Sequence, residues 1–259
     1  MRLEDLFPDG DHRHHLTLRR ERPEEFFAAQ DATGAILAER RRWLDTAPGR
    51  YAALAPGFEP LVAEFVRCLG DWSLPPLAPT AAAIGRALEP DVLFLARDEA
   101  GDFRLRGGAL CFPTGWALEE KLGQTLDAIH GVVPGLNAAI GPAIRQFLGA
   151  LKPGAAYRRD NWGIAASPEL NLHPARNIPP PEPPVEPSAW WLRVEHQALV
   201  ALPETRGIVF GIRIALHPLD AVLRGPAGPG LKRALGSMSP EMLSYKRLDK
   251  VAVHLVNGV

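Results

Sequence analysis

The sequence predicts an α+β fold organised on an antiparallel sheet, and three observations carry that prediction. Apolar residues recur at helical spacing, with Leu118, Leu122, Leu126 and Ile129 as one stripe and Ile140, Ile144, Phe147, Leu148 and Leu151 as another. Two alternating segments, Trp190 to Leu202 and Ile208 to Leu216, are joined by the short link Pro203-Glu204-Thr205-Arg206-Gly207, the pattern of a hairpin. Strands reached through short turns pair antiparallel, whereas a doubly wound parallel sheet needs a helix between successive strands.

The elements follow in order. A helical pattern runs from Pro23 to Trp43, with the basic run Arg40 to Arg42 near its end, where cations complement the helix dipole. A second helix covers Phe58 to Leu69 and a short one Ala81 to Leu88. At Asp91 the period changes, and Val92 to Ala96 reads as a buried strand, Asp98 to Asp102 as a turn and Phe103 to Phe112 as the return arm. Gly107 and Gly108 in that arm point to a bulge or a close backbone approach.

The next helix is expected from about Trp116, stopped by Gly131 and Pro134, so that His130 lies at its C-terminal end on the edge of an apolar stripe. Such a histidine is a core residue, a cap or a ligand. A further helix, kinked or started by Pro142, ends at Lys152-Pro153-Gly154. Ala156 to Ala165 reads as a strand, with Arg159 and Asn161 on one face and Arg158 and Trp162 on the other. Half of the residues from Pro174 to Pro187 are proline, which favours a stiff, extended crossover.

In the hairpin, alternation groups Leu192, Val194, His196, Ala198, Val200 and Leu202 with Ile208, Phe210, Ile212 and Ile214. It leaves Arg193, Glu195, Gln197 and Arg213 for the second face. A Gly/Pro-rich segment at Gly225 to Gly230 precedes a final helix, Pro240 to Leu248, and a tail strand, Val251 to Val256. The order strand, strand, helices, strand, strand, strand is that of a PAS-like core. The expected organisation is therefore a PAS-like antiparallel sheet of about five strands at 89–219, with helical extensions at 1–88 and 220–259 packed on it as one compact unit.

Composition narrows function. The chain has 259 residues, 46% of them hydrophobic, enough for a sizeable core. With 29 basic against 30 acidic residues, no global field draws it to nucleic acid or an anionic membrane. Two cysteines, Cys68 and Cys111, supply neither a disulfide framework nor a cysteine-bound metal cluster, and a reducing cytoplasm fits. No stretch approaches the roughly 18 apolar residues of a membrane span. Dinucleotide, P-loop, nucleophile-elbow and HExxH motifs are absent. The cluster His12, His14 and His15 lacks an acid or cysteine at ligand spacing and reads as a solvated tip. Arg and Glu two apart on a strand read first as a solvated pair; converging arginines would suit an anionic ligand.

Phe112-Pro113-Thr114-Gly115-Trp116, Glu120-Lys121-Leu122-Gly123 and Ile129-His130-Gly131-Val132-Val133-Pro134 together resemble the signature of the haem-dependent oxidative N-demethylase-like family. Arg159-Asp160-Asn161-Trp162 and the hairpin blocks Leu192 to Leu199, Leu202-Pro203 and Phe210 to Arg213 agree with it, so the resemblance runs from Glu24 to Leu219. It implies a PAS-like domain that binds haem b and uses oxygen and external electrons to demethylate a small secondary amine. The electrons would come from a flavin and iron–sulfur reductase subunit. It implies His130 as iron ligand, Arg159, Arg193 and Arg213 as partners of the haem carboxylates, Glu195 as holder of the substrate ammonium or proton relay, and Asn161 as a hydrogen-bond donor to oxygen or water. Trp116 and Trp162 read as packing residues. Two departures stand out: His196 occupies an expected arginine position and is a rival iron ligand, and Arg213-Ile214-Ala215 lacks the threonine and tyrosine expected after that arginine. The alternative is a PAS-like sensor that holds haem or a small acid without turnover.

Overall fold

A computed structural model describes residues 2–258 as seven strands in one antiparallel sheet with helices on both faces. The strands are β1 (Arg19–Arg20), β2 (Ala52–Leu54), β3 (Asp91–Arg97), β4 (Phe103–Ala109), β5 (Ala156–Ala165), β6 (Trp191–Ala201) and β7 (Ile208–Pro218), in the spatial order β1-β5-β6-β7-β3-β4-β2. The α+β class holds, but the sheet has seven strands where about five were expected. The extra two are edge pairings, Arg19↔Arg158 and Arg20↔Tyr157 on one side and Ala52↔Ala109 to Leu54↔Gly107 on the other. Segments of two and three residues are too short for alternation to register. Residues 1–88 thus supply both sheet edges as well as helices.

The β3–β4 hairpin shows why two glycines stand together. Gly107 and Gly108 have φ of 144° and 138°, and a Cβ on Gly108 would lie 2.0 Å from the Val92 carbonyl oxygen. Bulge and close approach are both realised, with a register shift between Phe94 and Leu95.

Two expected helices and one expected strand are corrected. The pattern from Pro23 to Trp43 forms two helices, Pro23–Phe27 and Ala35–Thr46, separated by a turn in which the Asp31 carboxylate accepts from the Thr33 and Ile36 amides. The expected helix from Trp116 is likewise two short ones, Leu118–Lys121 and Leu126–His130. Gly123, at φ 80°, breaks it; the Gly123 amide and the Gln124 carbonyl bond to Leu105 on β4 instead, and Thr125 recaps the chain through the Ala128 amide. Replacing Thr125 by alanine is expected to cost about 1 kcal/mol in urea unfolding. At the C-terminus, Val251 to Val256 is helical (Ala252–Asn257), and the Gly/Pro-rich segment opens a helix at Gly228–Ser237, its proline tolerated in the first turn.

The hairpin register corrects a face. Directly opposed residues of an antiparallel pair share a face. Because His196 pairs with Arg213, Glu195 with Ile214 and Gln197 with Ile212, Arg213 lies with His196, and Ile212 and Ile214 lie with Glu195. The face bearing Arg193, Glu195, Gln197 and Leu199 is covered by Ile140, Ile144 and Leu148 of the helix Leu136–Ala150. The opposite face buries Ala198 and Val200 under Phe27 and Phe65, and Leu192 and Val194 under Leu231 and Leu235.

The basic run Arg40 to Arg42 is not a helix end. Arg40 lies mid-helix with its side chain 0% exposed, pairs with Asp91 at 2.6 Å and donates through Nε to the Gly85 carbonyl at 2.8 Å. Asp91 also accepts from the Cys111 and Phe112 amides at 2.6 and 3.1 Å, so one buried ion pair anchors the N-terminal helix, β3 and the loop that follows β4.

Candidate functional site

That loop, Cys111 to Gly115, brings the first polar side chain onto the sheet. The Thr114 hydroxyl donates to a Glu195 carboxylate oxygen at 2.5 Å and accepts from Arg193 Nε at 2.9 Å. Asn161, opposite Glu195 on β5, donates to the other carboxylate oxygen at 3.2 Å, and Gln197 donates to it at 2.7 Å. Glu195 is 9% exposed. It is an acid held by three uncharged donors and, among the described residues, in no ion pair, a setting that fixes its position. The expected solvated Arg–Glu pair does not form.

The predicted arginines separate. Arg193 is 1% exposed and fully engaged, donating to Thr114 and to the carbonyls of Phe112, Leu170 and Glu169. Burial lowers its pKa to about 10, which leaves it charged, and it works as a strut joining β6 to two loops. Arg213, on the other face, pairs with Glu89 at 2.6 Å and donates to the Phe26 and Ala28 carbonyls. Arg159 alone remains on the Glu195 face without a hydrogen-bond partner among the described residues. Burial pulls its pKa down, while Glu195 and Asp160 act in the other direction.

The histidines separate too. His130 ends the helix Leu126–His130, whose Leu126 and Ile129 pack against the core. Burial, and then the charge of Arg159, lower its pKa, so its imidazole is neutral at pH 7. Desolvation and a nearby cation outweigh the favourable dipole at the end of a helix five residues long. His196 lies on the opposite face, its Nδ1 2.6 Å from Asp160, which Arg158 also contacts at 3.3 Å.

The His12, His14 and His15 cluster is not a solvated tip. His14 Nε2 lies 2.7 Å from the Pro134 carbonyl and the His12 amide donates to Ser237 Oγ at 2.8 Å, docking the N-terminal arm along the outer edge of β5. Among the described residues no group of three His, Cys, Asp or Glu side chains is placed to hold a metal ion. Between arm and strand lies a small, open recess of about 90 Å3. Leu136, Arg159, Asn161 and Lys246 are among the residues that line it.

Sequence reasoning missed two contributors. Thr114 had a signal, since it lies within the Phe112 to Trp116 block. Lys246 had none, because only the fold brings it to β5, where its ammonium donates to the Trp162 carbonyl at 2.7 Å. Burial pushes the Cys111 thiol up to about 12 and raises that of Cys68, so neither is a reactive thiolate. No helix among the described residues is long and apolar enough to cross a membrane.

The blocks that build this face, from the loop after β4 through the β6–β7 hairpin, fall inside one match. The chain belongs to the haem-dependent oxidative N-demethylase, alpha subunit-like family, whose model matches residues 70–256.

Proposed function

We propose that this protein is the haem-binding subunit of an oxidative N-demethylase acting on a small secondary amine. Its core, 89–219, is read as PAS-like, which the order β5-β6-β7-β3-β4 of the long strands supports. The observation that carries the proposal is Arg159, which has no hydrogen-bond partner among the described residues, on the face that bears Glu195 and Asn161, where its charge acts on His130. These residues fit haem: neutral imidazole is an iron ligand, and a free guanidinium suits a carboxylate of the porphyrin rim.

When bound, haem b would supply the oxygen chemistry. His130 would hold the iron and Arg159 a haem carboxylate; Arg193 and Arg213, spent on protein groups, are set aside for that role. Glu195 holds the substrate ammonium and takes a proton from it, its carboxylate aimed by Thr114 and Gln197. Asn161 fixes the second carboxylate oxygen. Electrons come from a separate reductase of flavin and iron–sulfur type, since the chain has no nicotinamide motif and too few cysteines for a cluster. The alpha subunit-like description of the family is in keeping with such a partner.

A second reading, a PAS-like haem sensor without turnover, is favoured by one position. Ile214, apolar where the resemblance expects a polar residue near the site, lies directly opposite Glu195. Purified protein titrated with haem is expected to develop a Soret band, and with dimethylamine, oxygen and a reductant to release formaldehyde. A Soret band without formaldehyde supports the sensor; no Soret band after haem addition defeats both.

A further inference from the structure

We infer that the recess at the outer edge of β5 is a carboxylate-binding site, with Arg159 and Lys246 as its cations and the arm His12 to His15 as its outer wall. It rests on the haem reading only for one of the two sources of carboxylate considered below.

The charge inventory comes first. Arg13, Arg159 and Lys246 line the recess against Asp11 and Asp160; Asp160 is already spent on His196 and Arg158, and Glu195, whose charge acts on both Arg159 and Lys246, has its carboxylate held by Thr114, Asn161 and Gln197. Among the described residues neither Arg159 nor Lys246 forms an ion pair, and Lys246 uses one of its three donors on the Trp162 carbonyl, with the Trp162 ring centroid 5.0 Å away. Burial lowers the pKa of Lys246 to about 8, so it still carries its charge at pH 7. Two partly buried cations with free donors in one concavity are costly unless an anion completes them.

The remaining wall selects a carboxylate on an apolar body. His12 contributes no charge to compete: burial and then the neighbouring Lys246 lower its pKa to about 4. Phe7, Leu136 and Ile140 supply apolar surface next to the cations. The arm is tied down by the contacts at His12 and His14 and carries no strand pairing until Arg19, so it is the wall able to move for an entering ligand. The ligand class is an amphipathic acid, and the two sources are the carboxylate side chains of haem and a free small acid such as an N-methylated amino acid.

The test uses full-length protein. Haem is titrated as the free acid and as its dimethyl ester, followed by the Soret band, and succinate and N-methylglycine are titrated by calorimetry. Wild type is compared with Arg159→Gln and Lys246→Gln. Free-acid haem binding about tenfold or more tighter than the ester, with that advantage lost in both variants, assigns the recess to the haem carboxylates. Equal binding of acid and ester, with a small acid bound by wild type and released by both variants, assigns it to a free acid. Equal binding of acid and ester with neither small acid bound overturns the site and leaves the haem reading intact. Failure of haem in both forms, with a small acid still bound in an Arg159-dependent way, defeats the haem reading and keeps the site. The acid–ester comparison is made on the wild-type protein, so it stands even where a variant folds poorly.

Discussion

Asp91→Ala is expected to lower the unfolding free energy by about 3–5 kcal/mol, because it leaves the guanidinium of Arg40 buried without its counter-charge. That is a large share of the roughly 5–15 kcal/mol that holds an ordinary domain together. The substitution also strips the acceptor from the Cys111 and Phe112 amides, so the damage runs into the loop that carries Thr114 to Glu195. Urea unfolding of the single variants and of the double variant Arg40→Met, Asp91→Leu separates the effects. Removing both charges together is expected to recover much of the loss, since two apolar groups leave no orphaned ion. A loss below about 1 kcal/mol for Asp91→Ala would mean that the pair is not the anchor described here.

Glu195→Gln is expected to reduce kcat/KM for the amine by about 10²–10⁴-fold while leaving haem affinity unchanged. The side chain keeps its shape but loses the charge proposed to hold the substrate ammonium. The amide also presents a donor where Asn161 and Gln197 already donate, and Thr114 has given its hydroxyl proton to this site. Full activity in Glu195→Gln would remove this residue from the chemistry, and a simultaneous loss of haem would show that its role is to hold the fold.

Much of this was legible in the sequence because it rests on local periodicity. The bounds of β5 follow from Ala156 to Ala165, the β6–β7 hairpin from its alternation, and the paired glycines of β4 announced the backbone approach that their positive φ values realise. What alternation could not give was register across the hairpin. A five-residue link leaves the parity of β7 against β6 open, so Arg213 was grouped with Arg193 when pairing with His196 sends it to the other face. The helix from Trp116 misled for a related reason: Leu118, Leu122, Leu126 and Ile129 keep helical spacing although Gly123 interrupts the helix to hydrogen-bond β4.

The site was half legible. Glu195, Asn161 and Arg159 share a face as the two-residue period requires, and the charge of Arg159 acts on His130. Tertiary placement was out of reach. Nothing in the composition of Ser239 to Leu248 points to Lys246 meeting Trp162, and the histidines at positions 12 to 15 look like a tail until Pro134 and Ser237 are found to hold them. Arg40 shows the converse: three successive arginines look like surface, and only the fold singles out the one that is buried.

The central claim is that His130 and not His196 meets the haem iron. Electron paramagnetic resonance and resonance Raman spectra of haem-loaded wild type, His130→Ala and His196→Ala decide it. Loss of the histidine–iron signature in His130→Ala alone, with recovery on adding free imidazole, is the predicted result. An unchanged spectrum in His130→Ala, or loss in His196→Ala, would contradict it and move the haem to the opposite face of the sheet.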